Sequence, residues 1–191
     1  MTFDRRQEIL KAATKSFSLF GYKATTMDQV AKLANVGKGT IYTFFKNKEE
    51  LFKEIISSLI RDMENEALQV IDKKKSFQEN VHQALYKMLE FRLEHQLTIK
   101  LFQEERDIGT PIVQEMMAKL EQSILTFIQE KIVQAIKSGE IKQCDPEITS
   151  FVLLKLYVSL IFDWEKRRKA LSQEEIADLF ELYIFKGLSV T

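Results

Sequence analysis

The sequence predicts an all-α protein of about nine helices, and three observations carry that reading. Apolar residues recur at helical spacing along nearly the whole chain, beginning with Ile9, Leu10, Ala13, Phe17 and Phe20. Cap signatures open one segment after another: Thr26 with Gln29, Asn47 with Glu50, Ser76 with Glu79, Thr110 before Pro111, Asp145 before Pro146, and Ser172 with Glu175. Only six glycines and two prolines occur in 191 residues, few for the turns of a sheet protein.

Taken in order, the first helix stops at Gly21. The second starts at the Thr26 cap, places Met27, Val30, Ala31 and Ala34 on one face, and ends at Asn35, a residue that tolerates left-handed geometry. A short third helix runs from about Lys38 to Phe45. The fourth, from Asn47 to about Ile71, would be about 37 Å long. Five more are expected at about 76–95, 97–106, 111–139, 146–169 and 172–187, the last closing at Gly187.

Composition narrows the function classes. Hydrophobic residues at 45% and charged residues at 29% describe a soluble globular chain. The single cysteine, Cys144, forms no internal disulfide and fits a reducing compartment. No basic-then-apolar leader opens the chain, and the longest apolar run, FVLLKLYVSLIF (151–162), is too short to cross a bilayer. A cytoplasmic location away from membranes is therefore expected. His82 and His95 lack metal-ligand spacing, and no glycine-rich loop follows a strand, so neither enzyme chemistry nor a metal or cofactor is expected. A net charge of zero hides an asymmetry: residues 1–50 hold nine Lys/Arg against five Asp/Glu, leaving nineteen against twenty-three in the remainder. A basic head on an acidic body suggests a polyanion partner at one end.

The stretch GKGTIYTFFKNKEEL (37–51) stands apart. Its first half is rich in glycine, β-branched and aromatic residues, which are poor helix formers. Following a short helix and a turn around ANVG, it completes a helix-turn-helix, whose second helix lies in the DNA major groove. That placement explains the composition. Gly37 and Gly39 let the backbone come close, Thr40, Thr43 and Lys38 offer donors to phosphates or bases, and Ile41 and Phe45 anchor the helix inward.

Residues 9–51, above all FGYKATTMDQVAKLANVGKGTIYTFFKNKEELF (20–52), resemble the N-terminal domain of TetR-family transcriptional regulators. The resemblance implies a helix-turn-helix DNA-binding domain over 1–47 and a larger helical domain over 48–191 for effector binding and dimerisation. The helix at about 48–71 would link them. It implies that Thr26 caps the second helix and touches a phosphate. Lys38, Gly39, Thr40, Tyr42 and Thr43 would face DNA, with Phe44 beside them, and Lys48 would meet a phosphate at the start of the fourth helix. Gly37 departs from the Ser of many relatives and removes a cap; Phe44 departs from their Tyr and removes a phenol. The implied function is a ligand-responsive dimeric regulator, a repressor, released from a near-palindromic double-stranded DNA operator by a small-molecule effector; the alternatives are a DNA-binding protein of the same fold controlled by a protein partner, and a helical enzyme.

In FVLLKLYVSLIFDW (151–164), Lys155, Ser159 and Asp163 leave one narrow polar stripe, so the helix must be covered from nearly all sides. Phe151, Leu154, Val158 and Phe162, with Leu179, Phe180 and Tyr183 of the last helix, are the candidates for a homodimer interface; burial within one subunit is the alternative. Met88, Phe91, Phe102 and Met117 are candidates to line the effector pocket that the resemblance implies. Glu104, Glu105 and Arg106, in FQEERD (102–107), lie near a break between predicted helices, and one that faces inward, with Glu105 and Arg106 as the candidates, would orient a charged or polar ligand. Core packing and a solvated helix end are the alternatives for these residues.

Overall fold

A computed structural model describes residues 2–72, 74–94 and 96–186; His95 and the stop expected at Gly187 lie outside them. The described residues are helical, with no strand among them, as the sequence predicts. The elements are α1 (Thr2–Ala24), α2 (Met27–Leu33), α3 (Lys38–Phe44), α4 (Lys48–Val70), α5 (Phe77–Glu94), α6 (Gln96–Asp107), α7 (Pro111–Lys137), α8 (Pro146–Val158) and α9 (Gln173–Phe180). Wider π turns extend α8 over Ser159–Asp163 and α9 over Glu181–Lys186.

Packing divides the chain into two compact units, Met1–Asp62 with Phe91–Glu121, and Met63–Glu90 with Gln122–Thr191. The unit that holds α1 to α3 therefore also contains α6 and the first parts of α4 and α7. Compactness follows α6 back onto α1, across the boundary expected at residue 47.

In the first unit, Ile9, Ala13 and Phe17 of α1 are fully buried together with Val30 of α2, Ile41 of α3, and Leu51 and Phe52 of α4. The Phe17 and Phe52 rings meet edge-on at 5.2 Å, and Tyr22 lies 4.7 Å from Phe52, so an aromatic cluster joins α1 to α4. Phe20 shares the α1 face by position but is 53% exposed, because it stands on the last turn, past the covered part of the stripe.

The junction of α1 and α2 is pinned from three sides. Gly21 breaks α1 with φ 80° and ψ 173°, a region open essentially to glycine alone. The break leaves the amides of Tyr22 and Lys23 without helical acceptors, and a buried carboxylate from α6 supplies them. Tyr22 N–H donates to Glu104 Oε2 at 2.6 Å and Lys23 N–H to Oε1 at 3.0 Å, while the Thr110 hydroxyl donates to Oε1 at 2.9 Å. Glu104 is 5% exposed, so these donors replace the water it has lost. On the carbonyl side, the buried Thr25 hydroxyl donates to Gly21 O at 2.8 Å and lies 3.0 Å from the Ser16 hydroxyl. Since the Thr25 proton is committed to Gly21, Ser16 is the donor of that pair.

The second unit has its own core: Leu85 and Leu89 of α5, Ile132 of α7, Leu153 of α8, Ile161 of the π turn, and Ile176, Ala177 and Phe180 of α9. Asp145 caps α8 by accepting from the amides of Glu147 and Ile148, with Pro146 in the first turn. Ser76 and Glu79, and Ser172 and Glu175, form the expected reciprocal caps. One expectation fails. The helix from 146 was to reach Lys169, yet regular helix ends at Val158. Trp164 N–H reaches back five residues to Ser159 O, and the indole N–H donates to Lys169 O at 3.1 Å, closing the charged segment on itself. Good helix formers at 165–169 lacked an apolar face to bury, so propensity did not decide.

Replacing Gly21 by Ala forces a disfavoured backbone and drives a Cβ into Glu104 Oε2. We expect a loss of about 1–3 kcal/mol in unfolding free energy, measured by urea titration; unchanged stability would contradict this account of the junction.

Candidate nucleic-acid interface

The interface is built on α2 and α3. Thr26 is an extended N-cap whose hydroxyl accepts from Gln29 N–H at 3.2 Å, while Gln29 Oε1 accepts from Thr26 N–H at 2.8 Å, the reciprocal box read from the sequence. Met27, Val30 and Ala31 are buried beneath it. Asn35 ends α2 with φ 52°, and Val36 N–H returns to Ala31 O, so the chain turns within three residues into α3. Gly37 caps α3 without any side-chain bond, as its departure from the family pattern implies.

With neither a side-chain cap nor good helix formers, α3 depends on packing. Ile41 is 0% and Phe45 1% exposed, and their burial fixes which side of the helix faces out. That outer side carries Lys38, Gly39, Tyr42 and Thr43, all exposed, with Thr40 and Phe44 half-buried. A Cβ on Gly39 would meet nothing within 4 Å, so nothing inside the chain requires its small size. The Thr43 hydroxyl donates to Thr40 O at 2.7 Å.

Two cations are already engaged. Lys38 Nζ lies 2.9 Å from Asp28 Oδ1 across α2 and α3, a bond that raises its pKa. Lys48, the residue expected to meet a phosphate, is bonded to the α1–α2 junction. Its Nζ donates to Tyr22 O and Thr25 O, both at 2.9 Å, and stands 4.2 Å from the centre of the Tyr22 ring. Burial lowers its pKa, while the Glu104 charge raises it. Two of its three donors are committed inward, which leaves one. Asn47 caps α4 by accepting from Glu50 N–H, but the Glu50 carboxylate takes the amide of Lys46 and not that of Asn47. Arg6 pairs with Glu54 and lies over the Phe45 ring, 5.1 Å from its centre.

The remaining candidates divide. Of the residues assigned to a dimer interface, Phe151 (49% exposed) and Tyr183 (50%) are at the surface, and Val158, Phe162 and Leu179 are half-buried. Leu154 and Phe180 are corrected: both are buried, Phe180 in the core cluster that holds Leu85 and Ile176. Ile148, Val152 and Leu182, outside that set, are exposed as well. Ile148, Phe151 and Val152 fall at i, i+3 and i+4, one face of α8.

The six pocket candidates differ in exposure. Phe91 is buried, and Met88, Phe102, Glu105 and Met117 are half-buried. Arg106 is exposed and pairs with Asp107 at the end of α6. A groove of about 820 Å³ in the first unit is lined by Leu10, Lys15, Ile55, Leu59, Leu97 and Lys100, among others. A cavity of about 670 Å³ in the second unit includes His82 and Tyr86, whose rings stack at 4.9 Å. None of the six lines either one. The buried charged residue of the FQEERD cluster is Glu104, one of the three that the sequence offered there. Among the described residues, no cluster of His, Cys, Asp or Glu can hold a metal ion, and no helix is long and apolar enough to cross a membrane.

Residues 9–55 match the family described as bacterial regulatory proteins, tetR family, and residues 74–188 match a tetracyclin repressor-like C-terminal domain. The HTH-type transcriptional regulator YhgD of Bacillus subtilis (strain 168) is 62% identical over 189 residues, 99% of each chain. A fatty acid metabolism regulator protein of the same organism is 30% identical over 141 residues, 71% of this chain and 70% of that one. Among solved structures, FadR of Bacillus subtilis in complex with stearoyl-CoA superposes with a TM-score of 0.70 at 22% identity, over 91% of this chain and 96% of that one. The structural likeness extends over both compact units and concerns the fold.

Replacing Thr26 by Ala removes the hydroxyl that accepts from Gln29 N–H and leaves the backbone half of the α2 cap in place. The expected loss is about 1 kcal/mol of unfolding free energy, read from a denaturant midpoint. A loss below about 0.2 kcal/mol would mean that the cap does not hold α2.

Proposed function

Since the chain belongs to the TetR family of transcriptional regulators, we propose that it is a dimeric repressor that binds a near-palindromic operator and is released by a small-molecule effector. Its relatives are regulators and not enzymes, and the reading uses no catalytic group. The observation that carries it is the outer side of α3: a short helix fixed from behind by Ile41 and Phe45, presenting exposed Lys38, Tyr42 and Thr43 around a glycine that leaves open space.

In this reading Thr26 and Lys38 contact phosphates, Gly39 lets the groove wall come close, and Thr40, Tyr42, Thr43 and Phe44 meet base edges or sugars. Lys48 offers its one remaining donor to a phosphate at the start of α4, its main work being to hold Tyr22 and Thr25. Two copies reading half-sites about 34 Å apart require a two-fold assembly. The exposed apolar faces of α8 (Ile148, Phe151, Val152) and of the turn after α9 (Leu182, Tyr183) are the surfaces we assign to it.

The effector binds in the C-terminal region and favours a state in which the two α3 helices no longer fit successive major grooves. It need only bind that state better than the operator-bound one. Likeness to a fatty acid metabolism regulator, and to a structure that holds stearoyl-CoA, makes a long-chain acyl thioester of coenzyme A the first compound to try.

Gel retardation of DNA upstream of the chain's own gene tests the proposal, with stearoyl-CoA as the probe for release. Binding should weaken steeply as salt rises, because phosphate contacts release counterions. Tyr42→Ala should raise the dissociation constant by about tenfold, near 1.4 kcal/mol, with an unchanged thermal midpoint. Asp28→Asn should tighten binding by about two- to fivefold, because it frees Lys38 from a competing carboxylate. If Tyr42→Ala binds as the parent does and Asp28→Asn weakens binding, the DNA face is assigned wrongly.

A further inference from the structure

The α1–α2 junction is held by two side chains of opposite charge acting on opposite sides of one short backbone segment. Glu104 of α6 takes the amides of Tyr22 and Lys23, and Lys48 of α4 takes the carbonyls of Tyr22 and Thr25. The two peptide ends of Tyr22 are thus tied to two different helices. We infer that Glu104 is a positioning residue for DNA binding: through it α6 sets the angle at which α2, and with it α3, leaves α1.

Several observations make this more than one buried hydrogen-bonded carboxylate. Charge-assisted bonds to ionised acceptors are about twice as strong as neutral ones, and here two such bonds fall on adjacent amides. The acceptor comes from more than eighty positions away in sequence, so its bonds carry long-range information that no local cap carries. The Thr110 hydroxyl, just before α7, holds the same carboxylate. Gly21 is bare where a Cβ would meet Glu104 Oε2, so the backbone makes room for this acceptor. Thr26, the cap of α2, adjoins the pinned segment directly, and Tyr22, Lys23 and Thr25 between Gly21 and Thr26 are all bonded to a side chain or to Gly21. A displacement of α6 relative to α1 must therefore break the Glu104 bonds or turn α2.

The inference rests on the DNA-binding reading for its consequence but not for its geometry, and the experiment separates the two. Hydrogen exchange read at single amides in the full chain requires no DNA. Glu104→Gln keeps size and one acceptor oxygen but loses the charge and the second strong acceptor. Exchange at Tyr22 and Lys23 should quicken by about tenfold or more, while the amides of Ile41 and Phe45 keep the parent's rates. Retardation of the upstream duplex should then show a dissociation constant raised by about five- to tenfold. Arg106→Ala, two residues along the same helix, should leave both readouts at the parent's values.

Unchanged exchange at the two amides overturns the inference, and so does local opening with DNA affinity intact. Exchange rising equally throughout α1 to α4, with affinity lost only in proportion to the unfolded fraction, would reduce Glu104 to general stability and also overturn it. Should Glu104→Gln not fold, Thr110→Val tests the same carboxylate more gently, with the same two amides and the same duplex as readouts. A parent chain that retards no DNA contradicts the proposed function, and the amide result then still decides whether the clamp exists.

Discussion

A carboxylate buried to 5% exposure and surrounded by three protein donors is costly to place and costly to disturb. Glu104 directs that carboxylate to the one place where α1 stops being a helix. Breaking a helix at a glycine exposes amides that must be satisfied, and in this unit the satisfaction comes from α6. The consequence is mechanical. The segment from Gly21 to Thr25 is short, the amides of Tyr22 and Lys23 belong to α6, two of its carbonyls belong to Lys48 of α4, and Thr25 closes onto Gly21. Both α2 and α3 leave from the end of that segment and take their direction from it.

The recognition helix is correspondingly weak on its own. Seven residues are too few for an isolated helix to persist in water. Its composition gives it little help, and the N-cap is a glycine with no side chain to offer. Full burial of Ile41 and Phe45 removes a large apolar area from water, worth about 1.5–3 kcal/mol for each side chain, and this outweighs a propensity deficit of a few tenths of a kcal/mol per residue. The same arrangement frees the outer side from any role in folding. Residues there can be chosen for contact, which is why glycine, threonine and an exposed tyrosine occur where stability alone would favour alanine or glutamate.

Local features were legible in the sequence because local chemistry writes them. The Thr26–Gln29 box, the left-handed Asn35, the stop at Gly21 and the Ser172–Glu175 box depend on residues three or four apart, and the structure contains each of them. Pairings across long separations left no such mark. Nothing in FQEERD distinguishes Glu104, which turns inward, from Glu105 and Arg106, because the distinction depends on where α1 breaks. Lys38 meets Asp28, and Lys48 turns toward Tyr22, for reasons that involve the angle between helices. The α8 segment failed in another way: with apolar residues on nearly every side, periodicity gave no phase. Leu154 and Phe151 therefore looked alike, although one is core and the other surface. The end of α8 at Val158 was equally hidden, since its charged continuation has good helix formers but nothing to pack against.

The central claim is that the outer side of α3, aimed by the junction behind it, is what enters duplex DNA. Hydrogen exchange compared with and without the upstream duplex tests it most directly, at low ionic strength and residue by residue. The account predicts that slowing concentrates at Thr26 to Gln29 and at Lys38 to Thr43. A duplex that binds while those amides exchange as in the free protein, with slowing elsewhere on the chain, would contradict it.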